Sequence, residues 1–80
     1  LALSVFPNPS AGSIILSISS LNLGITRAEL YDASGKLLMT EKVLAPQTQI
    51  DIKSYANGTY FLSLFKDAEP VKQFKIIKNR

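Results

Sequence analysis

Apolar and polar residues alternate in twos along most of this chain. Ile14, Leu16 and Ile18 stand against Ser13, Ser17 and Ser19. A strand puts such alternate residues on opposite faces, whereas a helix scatters them around its circumference. The same period recurs at Ala28 and Leu30, at Leu37 and Met39, at Ile50 and Ile52, at Tyr60, Leu62 and Leu64, and at Phe74 and Ile76. A short leading strand near Leu3 to Phe6 brings the count to seven, and no helical stripe competes with this reading. Turn-forming residues separate the runs at Pro7 to Gly12, Asn22 to Gly24, Asp32 to Gly35, Pro46 to Thr48, Asn57-Gly58 and Asp67 to Pro70. Short strands at regular spacing predict an all-β fold, an antiparallel sandwich of two layers. Residues 1–80 read as one domain, without a repeat or an internal boundary.

The opening turn, in "VFPNPSAGSIILSI", has a shape that local physics dictates. Pro7 and Pro9 fix φ and remove two backbone donors, so the first strand must stop there. Asn8 is held extended by the proline after it, and Gly12 permits a positive φ just before the next strand. The expected role is a rigid crossover between sheets, and nothing in the turn can do chemistry.

Composition narrows the function. At 80 residues the domain buries only about 60% of the surface its unfolded chain exposes. With neither cysteine nor histidine, disulfides, thiolate metal sites and the commonest nucleophile pairs are all unavailable. The carboxylates Glu29, Asp32, Glu41, Asp51, Asp67 and Glu69 are spread along the chain, without the dense acidic loop calcium needs. No cofactor, metal or catalytic residue is expected. The net charge of +3 is too small to imply nucleic acid, and no run approaches the roughly 20 apolar residues of a membrane span. No charged start precedes an apolar core, so an exported chain of this kind is expected to carry its N-terminal address elsewhere.

Charge is unevenly placed: none occurs from Leu1 to Thr26, while Lys72, Lys75, Lys78 and Arg80 crowd the end. Alternation separates Lys72 and Lys78 from Lys75, which suits a charged edge strand rather than a binding stripe. Lys75 and Lys78 are expected to be solvated, and Phe74 and Ile76 to face the core. Asp32-Ala33-Ser34-Gly35 reads as a hairpin turn with the Asp side chain bonding nearby backbone. Asn57-Gly58-Thr59 matches the N-glycosylation tripeptide, but Asn-Gly is also a strong tight-turn pair, and the turn is the preferred reading. Tyr60 is expected to be buried, its hydroxyl bonded to backbone as in a tyrosine corner. Phe61 and Phe65 fall on the face opposite Tyr60, Leu62 and Leu64, where an aromatic row could dock a partner.

Four blocks, "FPNPSAG", "AELYDASGKLL", "IDIKSYANGTYFLSL" and "VKQFKIIKNR", occur in order and in register over almost the whole chain. Together they resemble the C-terminal sorting domain, type A, of the type IX (Por) secretion system. Pro7, Asn8, Pro9 and Gly12 match the family's first block, and Tyr31, Gly35 and Lys36 its second. Gly58 and Tyr60 match the third, and Lys72, Lys75 and Lys78 cover the lysine-bearing last strand. Tyr55 departs from the pattern, since an aliphatic residue is commoner before the Asn-Gly turn. The resemblance implies an Ig-like sandwich at the C-terminus of a larger exported protein from a Bacteroidota-type bacterium. It implies passage of a fused cargo through the periplasm to the cell surface or medium, with shuttle proteins and the outer-membrane translocon as partners. A cell-surface sortase is then expected to cut in the linker at or upstream of Leu1. The lysines of the last strand are the expected recognition residues, with Phe61 and Phe65 as the alternative docking patch. The competing reading is a structural or carbohydrate-binding sandwich module of an extracellular enzyme.

Overall fold

A computed structural model of the chain describes residues 3–7, 11–19 and 24–79. It is all-β, and its seven strands are those the alternation predicts: β1 Leu3–Phe6, β2 Ser13–Ile18, β3 Arg27–Asp32, β4 Leu37–Lys42, β5 Gln47–Asp51, β6 Gly58–Lys66 and β7 Glu69–Lys78. They form a three-stranded sheet in the order β1-β2-β5 and a four-stranded sheet in the order β4-β3-β6-β7. Every pairing is antiparallel. The connections β2 to β3, β4 to β5 and β5 to β6 therefore pass between sheets, as in Ig-like sandwiches.

Burial follows the period of two in most strands, but not in β4, where Leu37, expected to share a face with Met39, is exposed and Leu38 and Met39 lie against the core. In β2 the residues alternate between buried and half-buried, with Ile14, Leu16 and Ile18 inward. These pack with Ala28, Leu30, Ile50, Ile52, Tyr60, Leu62, Leu64 and Ile76 as one core, and Phe74 and Tyr55 lie against it. Ten of those eleven core residues are aliphatic and the other is Tyr60, so the two sheets meet through side chains that carry almost no polar atom. The core expectation for Ile76 is met in full, and Phe74 is only half-buried.

Three of the turn readings shift. Strand β5 begins at Gln47, so Thr48 belongs to the strand, and Ile18 closes on this corner by donating its N–H to the Pro46 carbonyl at 2.7 Å. Pro70 lies inside β7, opposite Phe65, where the register slips between Leu64 and Phe65. An edge strand at a bulge is where a residue without an N–H is tolerated. Asn57-Gly58 does not close a hairpin, because β5 and β6 belong to different sheets; it ends the crossover that leads into β6.

A fourth reading shifts at the opening turn, which does not cross between sheets as expected: β1 and β2 pair antiparallel in the same sheet, so it joins neighbouring strands. β1 stops at Phe6, the Phe6–Pro7 bond is cis, and Asn8 and Pro9 lie outside the described residues, as does Asn22 of the next turn signal. Gly12 is described and buried. Its carbonyl accepts the Ile52 N–H at 2.8 Å, and a Cβ there would lie 2.6 Å from Lys53 Cγ. Gly12 is thus required as much by the close passage of Lys53 as by its own φ.

Candidate functional site

The residues singled out in the sequence gather at four places in the sandwich. The first is the entry to β6. Tyr60 is 6% exposed and donates its hydroxyl to the carbonyl of Ala56, four residues upstream. A ring buried under the sheet while its hydroxyl tethers the preceding crossover is the tyrosine corner expected from the sequence. The unusual Tyr55 packs beside it, the two rings tilted by 41° with centroids 6.1 Å apart. Tyr55 also donates its hydroxyl to the Leu38 carbonyl at 3.4 Å, so the extra aromatic ties the crossover to β4. Its bulk is accommodated at the edge of the core rather than forced into it.

The second place is the β3–β4 hairpin. Asp32 Oδ1 accepts from the Ser34 N–H at 2.9 Å, the Ser34 hydroxyl at 2.7 Å and the Lys36 N–H at 3.0 Å. Those donors, the Ser34 hydroxyl foremost, hold the Asp32 carboxyl below its ordinary pKa. Its ionised form therefore favours the folded turn above the unfolded carboxylate's pKa, and that preference fades as pH falls. Gly35 has φ of +92°, the left-handed region a side chain would strain, and its N–H bonds the Asp32 carbonyl at 3.0 Å. Gly35 and Lys36 thus serve the turn, Lys36 through its backbone.

The outer face of the four-stranded sheet is the third place, and sequence reasoning neither singled out Arg27 nor joined Glu29, Tyr31 and Phe65 to it. Arg27, Glu29 and Tyr31 occupy alternate positions of β3 and so share one face, a spacing of two that was legible beforehand. Arg27 Nε pairs with Glu29 Oε2 at 3.0 Å, and Tyr31 donates its hydroxyl to Glu29 Oε1. The Tyr31 bond, then the Arg27 bond, lowers the Glu29 pKa; the same carboxylate raises that of Tyr31. Arg27 also donates to the Asp67 carbonyl and lies 4.2 Å from the centroid of the Phe65 ring. Asp67 has a left-handed φ of 54°, and its N–H bonds Thr26 Oγ1 at 3.0 Å, so the β6–β7 hairpin is pinned back onto the start of β3. Phe61 sits between Tyr31 and Lys75 in register and, like Phe65, is half-buried. The two rings are part of a packed charged surface rather than an open flat row, which weakens the carbohydrate reading.

The last strand is the fourth place. β7 forms one edge of its sheet, as the lysines suggested. Lys72 and Lys75 are exposed, with Lys72 Nζ 5.7 Å from the Phe74 ring centroid. Lys78 is not solvated as expected: it is 9% exposed, and its ammonium reaches Asn57 Oδ1 at 3.4 Å. Its parity puts it on the Ile76 face, and the crossover ending at Asn57 and Gly58 closes over it. Among the described residues no three of Asp, Glu, His or Cys stand close enough to hold a metal ion. No helix among them is long and apolar enough to cross a membrane.

The geometry thus defines a small Ig-like module whose polar side chains pin crossovers and hairpins. The chain belongs to the secretion-system C-terminal sorting domain family, whose model matches residues 4–79. This is the sorting signal of type IX secretion, a family that is not catalytic, and it marks a protein for export to the cell surface or the extracellular space. Among curated proteins, the chain is 37% identical over 57 residues to the aspartic proteinase yapsin-7 of Saccharomyces cerevisiae, a match covering 71% of this chain. It spans 10% of the length of that protein, so the likeness is local. No solved structure gives a significant match.

Proposed function

We propose that residues 1–80 form a single sorting domain at the C-terminus of a larger exported protein, presented to the type IX outer-membrane translocon as a folded unit. Shuttle proteins and the translocon are its binding partners, and the fused N-terminal cargo is what they carry. A cell-surface sortase then separates cargo from domain in the linker ahead of β1. The domain is ligand and substrate in these steps and turns nothing over itself. The observation that carries this reading is the family match across residues 4–79.

We assign recognition to the β7 edge, where backbone groups and the exposed charges of Lys72 and Lys75 lie together on an edge strand. Lys78 is left out of the recognition set because the residue is largely buried and its ammonium reaches Asn57. Removing it would confuse stability with recognition. Lys72→Gln combined with Lys75→Gln is expected to change stability by no more than about 1 kcal/mol, the ceiling set by an exposed cation over a ring. Cargo carrying the double variant should nevertheless accumulate uncleaved in the periplasm. Secretion and processing at wild-type levels would show that the lysines only guard the edge, and would move recognition to the Phe61 and Phe65 face.

A further inference from the structure

The sandwich has four edge strands, and they are not protected alike. β4 carries Glu41 and Lys42, β5 carries Asp51, and β7 carries Glu69, Lys72, Lys75 and Lys78 as well as Pro70. β1, Leu-Ser-Val-Phe, carries no charge and no proline. Edge strands present unpaired N–H and C=O groups, and charge or proline is the usual means of keeping other strands away. β1 pairs with β2 on one side, and among the described residues no strand pairs with its other side.

What the edge fits follows from its side chains. Leu3 and Val5 lean on the core yet stay half-buried, while Ser4 is exposed and Phe6 is 43% exposed. Row by row, the outer face behind this edge continues as Ser4, Ser17 and Gln47, and as Phe6, Ile15 and Gln49. No charge interrupts either row. A partner strand rich in lysine or carboxylate gains nothing from such a surface. A second copy of the same strand meets it without repulsion, although each copy carries a net charge of +3.

We propose that β1 is a self-pairing edge, through which two copies of the chain join antiparallel about a twofold axis and merge their three-stranded sheets into one continuous sheet. Registers that keep side chains on matching faces are the permitted ones. One of them sets Leu3 beside Val5 of the second copy and Ser4 beside its own counterpart, covering the aliphatic pair that the monomer leaves half-exposed. Such an interface is isologous and closes on itself, so association stops at the dimer. The β7 edge stays open in that dimer, so self-pairing and recognition at the lysines do not compete.

The test is sedimentation equilibrium of the chain and of two exposed-site variants, Ser4→Lys and Ser4→Asp. The wild type should show a concentration-dependent dimer, with amide exchange in Leu3–Phe6 slowing as concentration rises. Each variant alone should raise the dimer dissociation constant by about tenfold or more, because like charges then sit side by side across the axis. An equimolar mixture of the two should recover the dimer, now as a heterodimer. Thr40→Lys, exposed on β4, should leave association unchanged. A wild type that stays monomeric at high concentration overturns the proposal. So does a Ser4→Lys chain that dimerises like wild type, or a mixture of the charged variants that stays monomeric while both keep the native circular dichroism.

Discussion

Ile76→Ala should lower the unfolding free energy by about 2–5 kcal/mol, a large part of the roughly 5–10 kcal/mol expected for so small a domain. Ile76 has no exposed surface and lies opposite Tyr60 in the β6–β7 ladder. Removing its outer carbons leaves a void lined by core side chains that strand pairing on β6 prevents from collapsing. Phe74→Ala removes a larger side chain that is only half-buried, so its cost should fall below the 3–5 kcal/mol usual for a buried ring. Urea unfolding of both variants measures the order. A loss under about 1 kcal/mol for Ile76→Ala would place that side chain outside the core. Cargo fused to the Ile76 variant should fail to be secreted, but through unfolding, which says nothing of recognition.

Tyr60→Ala is the second large effect, at about 3–5 kcal/mol, since it empties the ring's place beneath the crossover and removes the tether to Ala56. Tyr60→Phe separates the two contributions. Ala56 is itself exposed, so water can take up the carbonyl that the hydroxyl abandons. The cost of the hydroxyl alone should therefore be about 0.5–1.5 kcal/mol, the net worth of one ordinary hydrogen bond rather than of a stranded acceptor. The difference between the two variants then belongs to ring packing. Equal losses from both would mean that the hydroxyl bond, not the ring, holds the corner.

How much of this was legible in the chain depends on how far apart the interacting residues lie. Alternation is a local signal, and it placed all seven strands and the inward residues of most of them, down to Tyr60 and its backbone-bonded hydroxyl; Leu37, exposed where the pairing with β3 slips, is an exception. The Asp32 turn was equally readable, because its donors lie within four residues of it. Strand order was not readable: β3 lies beside β6, and nothing local in Arg27 to Asp32 specifies residues Tyr60 to Phe65 as neighbours. The register slips that let Pro70 enter β7 and turn Leu37 beside Tyr31 arise from that long-range pairing. Lys78 shows a different failure. Its parity pointed inward, yet a lysine at a strand end was assumed to reach water, and only the fold brings Asn57 over it. For Arg27, Glu29 and Tyr31 the common face was visible, but their shared carboxylate follows from geometry.

The family's motif residues divide along the same line. Gly12, Gly35 and Tyr60 have structural reasons in the sandwich itself: a close approach by Lys53, a left-handed turn, and a pinned crossover. Tyr31 bonds Glu29, and Lys36 closes the hairpin through its backbone. Most of the motif is therefore a recipe for this shape, which fits a signal read as a folded domain. Lys72 and Lys75 stand apart, because both are exposed on the β7 edge.

The central claim is that the folded domain is itself the export signal. It is tested most directly by fusing residues 1–80 to the C-terminus of a soluble reporter that carries an N-terminal export signal. The fusion is expressed in a bacterium with type IX machinery and in a strain lacking the translocon, and reporter is assayed in the periplasm, at the cell surface and in the medium. The account predicts reporter at the surface or in the medium of the first strain and retention in the periplasm of the second; equal secretion from both strains would contradict it.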